Sequence, residues 1–410
     1  MDAPGDSATT HYRVRWLFPS DADPFADATL EVQDGRIAGW SGRPHPAAID
    51  LGNVAVIPGL VNAHTHLEFS HLAQPIPAGN SFAEWIGAVI QERRTRTATG
   101  GESLQAGLDE LRRCGTVAAG EIATRSWPRD ASVERGAALT VFREVLGLSP
   151  DAVPLRLAEL QEHLDAGETG DGLRRGISPH APYSVHPDLF HGAVALARER
   201  DVPVAMHLAE TREELELLRS GSGPLVELFT RMGIWRPEVV PRGTRILDSL
   251  RGLAEVGHAL VVHGNYLDDD EIAFLADRPN MTVVYCPRTH RHFGHARHPL
   301  SRLRERGIRV ALGTDSRASS PSLDLWDDVT LVRELFPEVS PPSLLRMATA
   351  DGAAALGSDA AAEVGLRIAT PVTGLSVVEL ADGSASDPWK ALFAGGTRSR
   401  PFPAGRSVSP

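Results

Sequence analysis

Val56-Ile-Pro-Gly-Leu-Val-Asn-Ala-His-Thr-His-Leu67 is an apolar run that closes on two histidines two residues apart. Read as a strand, it puts both imidazoles on one face. A buried parallel strand ending in His64 and His66 is what a barrel offers at its C-terminal mouth. On its own the His-x-His pattern is weak, since two polar residues closing a strand read the same way.

Working outward, other apolar runs end in the same chemistry. His207 follows Val202-Pro-Val-Ala-Met206, His263 closes Ala259-Leu-Val-Val262, and Asp315 follows Val310-Ala-Leu-Gly-Thr314. Histidines and a carboxylate arriving from separate strand ends suit a catalytic divalent ion, zinc first and ferrous iron second. Each residue also has a plainer reading. His263 serves equally as a buried, hydrogen-bonded histidine, and Asp315 as a turn or cap residue before an amphipathic stretch at Leu323–Phe336. Glu210 lies three residues past His207. On a strict strand it faces away from the axis, so it enters a pocket only if the strand has ended and the chain turns. Its plainer role is an acid at a helix start.

The spacing predicts eight strands: Val56–Leu67, Thr116–Ala123, Ala138–Leu146, Gly176–Tyr183, Val202–Leu208, Ala259–Asn265, Met281–Cys286 and Arg309–Thr314. Amphipathic stretches lie between most of them, among them Phe82–Arg94, Leu104–Cys114 and Glu213–Met232. That alternation predicts an α/β fold, a (β/α)8 TIM barrel over residues 58–357. Residues 1–57 and 358–410 are expected to form a small β-sandwich domain built from both chain termini. Its signals are a hairpin turn at Asp34-Gly35 and a late strand at Gly374–Leu380. The tail from Arg398 reads as loose, and Pro287 and Gly294 mark the intervening histidine-rich stretch as loop.

Composition narrows the function. The 410 residues carry a net charge of -12, which disfavours nonspecific binding to nucleic acid or anionic membrane. No apolar run is long enough to cross a bilayer. Two cysteines, Cys114 and Cys286, imply no disulfide framework, so a cytoplasmic address is expected. Lysine occurs once, at Lys390. The barrel therefore has no lysine to be carboxylated as a bridge between two metals. The expected partner is a small-molecule substrate.

The motifs Pro58-Gly-Leu-Val-Asn-Ala-His-Thr-His66, Ser178-Pro-His-Ala-Pro-Tyr-Ser184, His207-x-x-Glu210, Val262-His-Gly264 and Gly313-Thr-Asp-Ser316 resemble the amidohydrolase superfamily. The nearest branch is the deaminase and chlorohydrolase group. Glu68, the segment Phe82-Ala-Glu-Trp-Ile86 and the run Cys286-Pro-Arg-Thr-His290 are most similar to aminofutalosine-type deaminases, with S-adenosylhomocysteine deaminases next. The resemblance implies one divalent metal held by His64, His66, His207 and Asp315, and acid/base roles for Glu210 and His263. It implies a hydrolase of non-peptide carbon–nitrogen bonds, with ammonia released from an aromatic amine such as an aminopurine nucleoside. In that chemistry Asp315 accepts the proton of water, Glu210 protonates a ring nitrogen, and His263 hydrogen-bonds the attacking oxygen. Glu68, Trp85 and His180 are the expected substrate contacts, Trp85 also reading as core. A homodimer is implied by analogy only.

Three alternatives stand beside this reading. One is an s-triazine chlorohydrolase or cyclic amide hydrolase, and another is a non-catalytic scaffold on the same barrel. A sugar-phosphate enzyme would need a glycine-rich phosphate loop late in the barrel, and none is evident. The chain departs from common family patterns at Cys286-Pro-Arg-Thr-His290, Ala318-Ser-Ser-Pro321 and Thr373-Gly-Leu375. The first two bear on the substrate.

Overall fold

The computed structural model describes residues 9–124, 127, 137–166, 173–357, 364–381 and 383–403. Their strands sort into two sheets that meet at Gly59. The predicted first strand is in fact two. Val54–Pro58 belongs to one sheet and Leu60–His66 to the other. A Cβ at Gly59 would lie 2.3 Å from Val117 and 2.7 Å from the Gly374 carbonyl, so only glycine fits where the chain crosses over.

The larger sheet is parallel and curls round. Its strands run Leu60–His66, Thr116–Ala123, Ala138–Val145, Leu173–Pro179, Val204–Leu208, Ala259–His263, Met281–Tyr285 and Arg309–Leu312, each beside its predecessor. The eighth strand breaks at Gly313-Thr314, and Asp315–Ser316 pairs with the first strand at Thr65 and His66. This is a TIM-barrel-like fold, and the broken strand is where the ends meet. Gly313 allows it, since a Cβ there would stand 2.9 Å from both the Cβ and the carbonyl oxygen of His64. The amide of Asn62 spans the same seam, donating to Thr314 Oγ1 at 2.7 Å and accepting from the Thr314 N–H at 3.1 Å. Strands such as Ala259–His263 and Met281–Tyr285 are buried at every residue, as a sheet covered on both faces requires.

Among the described residues, the terminal strands form one seven-stranded hydrogen-bonded sheet. Leu375–Glu379 lies between Val54–Pro58 and Arg398–Pro401, so both chain ends build it. Arg398–Pro401 is therefore a strand where a loose tail was predicted, because its backbone pairs with residues 375–379; 404–410 lie outside the described residues. The predicted hairpin is present, with Asp34 and Gly35 at φ 51° and 71° joining Phe25–Gln33 to Arg36–Ser41.

Three local readings change. The stretch 213–232 is two helices, Arg212–Ser220 and Pro224–Arg231, because Gly221 and Gly223 both sit at positive φ between them. The predicted loop after the seventh strand holds a short helix, Pro287–His292, opened by its proline at the first turn. The fourth strand ends at Pro179, leaving His180 on the turn beyond it.

Candidate active site

The ends of four barrel strands deliver their polar residues to one buried point. His64 and His66 leave the first strand, and His207 the fifth. His263 ends the sixth, and Asp315 lies past the break in the eighth. Ligand atoms of His64, His66 and His207 lie within 4.8 Å of one another, as do those of His64, His263 and Asp315. Asp315 Oδ1 is 3.8 Å from His64 Nε2 and 3.7 Å from His66 Nε2. Ligands at about 2 Å from one ion stand up to about 4 Å apart, so small side-chain rotations close this set on a cation.

The donors suit a metal. Both ring nitrogens of His64 and the Nδ1 of His66 are buried without a hydrogen-bond partner. Buried polar atoms normally have partners, and those without one need an explanation. The other donors are oriented from behind. His207 Nδ1 donates to the His180 carbonyl at 3.0 Å, which leaves Nε2 for the centre. Ser319 donates to Asp315 Oδ2 at 3.2 Å, which leaves Oδ1. Burial, then the neighbouring imidazoles, hold His64 well below the usual histidine range, and burial brings His207 down to about 4. The three imidazoles are thus neutral at physiological pH, as ligation of a metal requires.

Glu210 faces inward because of one backbone conformation. Ala209, directly after the fifth strand, has φ 51°, a left-handed conformation costly for a residue with a Cβ. Glu214 holds that turn, its carboxylate accepting from the Ala209 N–H at 3.2 Å and the Glu210 N–H at 2.7 Å. Glu210 Oε1 then lies 3.5 Å from His263 Nε2. Burial, with Asp315 and Glu214 adding repulsion, pushes the Glu210 carboxyl well above its usual range. His263 and Asp315 also sit at positive φ, 70° and 56°. Strain therefore collects at the ends of strands five, six and eight, where function is usually found.

A cavity of about 490 Å³ opens above these groups, with aromatic walls that include Phe82, Trp85 and Phe229. Trp85 is both wall and packing, stacked on Phe82 and edge-on to Phe293. His180 lines the cavity, its Nδ1 2.6 Å from Ser184 Oγ. Glu68 sits on a short turn beyond His66, with its carboxylate 2.6 Å from Arg93 and 3.3 Å from Arg96. With Arg93, Arg96 and Glu144 it lines a smaller pocket adjoining the cavity.

Sequence reading passed over several neighbours. Arg93 and Glu144 line the cavity, and Glu144 has a ligand atom within 4.8 Å of His180 and His207. Arg93 lies in the stretch Phe82–Arg94, read from the sequence only as amphipathic. Nothing local distinguishes Glu144 from Arg143. The histidine-rich stretch braces the site from outside. His290 Nδ1 donates to Asn265 Oδ1 at 3.1 Å, Asn265 donates to the Glu210 carbonyl at 3.0 Å, and His298 donates to the His263 carbonyl at 3.0 Å.

Comparison with known proteins agrees with this geometry. Residues 55–364 match the model of the amidohydrolase family. An aminodeoxyfutalosine deaminase of Deinococcus radiodurans is 34% identical over 329 residues, covering 77% of this chain and 76% of that protein. A 5-methylthioadenosine/S-adenosylhomocysteine deaminase of Nitratidesulfovibrio vulgaris is 29% identical over 361 residues, 85% of this chain and 77% of its own. The crystal structure of Helicobacter pylori aminofutalosine deaminase superposes with a TM-score of 0.77 at 23% identity, covering 94% of this chain and 95% of that one. A strand-end ligand set on a TIM-barrel-like sheet, and a family match across most of the length, place this chain in the amidohydrolase family.

Proposed function

We propose that this protein is a metal-dependent hydrolytic deaminase of a 6-aminopurine nucleoside extended at its 5′ position. His64, His66, His207 and Asp315 would hold one divalent ion, zinc by the mixture of nitrogen and oxygen donors. When bound, such an ion would lower the pKa of water from far above the physiological range towards about 7.

The protein's own residues supply the proton traffic. Asp315, oriented by the Ser319 hydroxyl on Oδ2, would take the proton of the attacking water. Glu210 carries a proton in its buried setting and delivers it to the ring nitrogen beside the amino-bearing carbon. The ring carbon thereby becomes electrophilic enough for water to add. His263, neutral and 3.5 Å from Glu210, hydrogen-bonds the incoming oxygen. The proton held by Asp315 passes to the amino group, the carbon–nitrogen bond breaks and ammonia leaves; the new hydroxyl returns its proton to Glu210, through His263, and remains as an oxo group. The purine would lie against the walls formed by Phe82, Trp85 and Phe229, with His180 as a polar contact. Glu68 takes part indirectly, by fixing Arg93.

The observation that carries this reading is the meeting of the ligand set and an inward-turned Glu210 at the buried end of an aromatic cavity. Its names in related proteins, aminodeoxyfutalosine and methylthioadenosine deaminases, support a purine nucleoside over a free base. A cytoplasmic address and a homodimer belong to the same reading, on composition and analogy.

The test is ammonia release from 5′-substituted adenosines, adenosine, guanine, cytosine and amino- or chloro-triazines, with metal content measured on the same sample. Turnover confined to the 5′-substituted adenosines is expected. Turnover of a triazine or a cyclic amide with none of any nucleoside would overturn the proposal.

A further inference from the structure

One side of the cavity is walled by a single helix, Phe82–Thr95. Phe82, Trp85, Ile86, Val89, Ile90 and Arg93 all line it, and their spacing puts them on one helix face. That face borders open space, so side-chain packing does not fix the helix from that side. Its ends are pinned instead. Towards the far end Arg93 is tied to Glu68 at 2.6 Å, on the turn after the first barrel strand. At the near end the first-turn N–H groups need acceptors from outside the helix. Ser81 Oγ takes that of Glu84 at 3.1 Å, and the Ser81 carbonyl takes that of Trp85 at 3.2 Å. The other two go to Glu213, far along the chain. Its Oε1 accepts from the Phe82 N–H at 2.7 Å and its Oε2 from the Ala83 N–H at 3.1 Å. A carboxylate in this place is also favoured by the helix dipole.

The residue after Glu213 does a matching job. Glu214 accepts from the N–H groups of Ala209 and Glu210, at 3.2 and 2.7 Å. Both glutamates stand in the first turn of the helix Arg212–Ser220, which Thr211 caps by accepting from the Glu214 N–H at 3.0 Å. Consecutive helix residues point about 100° apart. One carboxylate therefore reaches back to the acid while its neighbour reaches across to the wall. Deamination asks two things of a bound ring at once. Its face must lie on Phe82 and Trp85, and its nitrogen must come within reach of Glu210.

Resting on the deaminase reading above, we infer that Glu213 is a positioning residue that sets the aromatic wall in register with Glu210. It touches no substrate. It acts through the backbone of Phe82 and Ala83, and the turn it shares with Glu214 makes wall and acid one unit. Without it the wall helix loses its tie to the fifth strand's loop. The ring is then held less well and its nitrogen lies off line, so KM rises and kcat falls together.

The experiment uses the metal-loaded full chain with 5′-methylthioadenosine as probe. Glu213→Ala should lower kcat/KM by about 10- to 100-fold, with metal content unchanged. Glu213→Gln keeps one acceptor and should fall between that variant and wild type; it carries the test if the alanine variant is too unstable to assay. Hydrogen exchange should quicken at the amides of residues 82–86 and stay unchanged in the strands. The deciding measurement is a double-mutant cycle with Trp85→Ala. Once the wall has lost its largest ring, removing Glu213 should cost at most about 3-fold more. Equal losses in both backgrounds, or a lower melting temperature with kinetics unchanged, would overturn the positioning role. If no variant or wild type releases ammonia, the deaminase reading fails, and the same cycle is read in calorimetric affinity for the probe. Non-additive losses there keep the clamp, and additive ones remove it.

Discussion

Two buried polar clusters lie close together in this barrel and are built on opposite plans. Around Arg288, every charge is answered. Its backbone N–H and Nε bond to Asp328 at 3.0 and 2.9 Å, Nη1 to Ser322 and Asp327, and Nη2 to the carbonyls of Ser322 and Asp324. Around His64, both its ring nitrogens and the Nδ1 of His66 are buried without partners, the imidazoles repel one another's protons, and three strand-end residues hold positive φ. The first cluster is complete as it stands and fastens the loop after the eighth strand to the helix Pro287–His292. The second is complete only with something bound. Satisfied burial marks scaffold, and unsatisfied burial marks a site.

The contrast can be broken at several points. The largest effect is expected on the reactive side. Glu210→Gln should lower kcat by about 10²–10⁴-fold while leaving metal content, read by elemental analysis, at the wild-type level. Loss of metal in that variant would mean that Glu210 is a ligand and not the acid. On the scaffold side, Arg288→Met strands the buried Asp328. It should cost about 3–5 kcal/mol in denaturant unfolding, and Asp328→Leu added to it should recover most of that. Between the two clusters lies Thr289 Oγ1, 2.9 Å from Ser319 Oγ, and Ser319 in turn holds Asp315. Ser319→Ala should weaken metal affinity or activity by about 10–100-fold, with stability little changed; a purely structural Ser319 would show the reverse.

The smallest effect sharpens the comparison with a histidine of the satisfied kind. His163 donates from Nε2 to the Val141 carbonyl at 3.1 Å and accepts from Arg175 at 3.2 Å. Burial, then Arg175, lowers its pKa from 6.5 to about 4. The folded state thus favours the neutral ring. Its contribution is whole above about pH 6.5 and is lost as pH falls towards about 4, amounting to about 1 kcal/mol by pH 5.5. His163→Gln should flatten the stability profile across that window. An unchanged slope would mean that other groups set it.

Much of the site could be read along the chain, because metal ligands at strand ends follow local patterns. His64 and His66 come from a two-residue period, and His207, His263 and Asp315 from the ends of apolar runs. What the chain does not show locally is the partner of Glu68: Arg93 and Arg96, 25 and 28 residues later, hold its carboxylate. The histidine-rich stretch read as loop, yet His290 and His298 are buried braces on Asn265 and His263.

Apolar period, turn residues and ligand type are properties of neighbours along the chain, so the sequence by itself determined the parallel barrel strands, the Asp34-Gly35 hairpin and the chemistry gathered at the mouth. Only the tertiary structure decided which side chains face the cavity beyond those strands. Glu210 turns inward through a left-handed alanine that no local preference favours and that Glu214 holds in place. The eighth strand breaks so that Asp315 can pair beside Thr65, 250 residues away. Such choices depend on contacts between distant segments, and those contacts exist only once the barrel has closed.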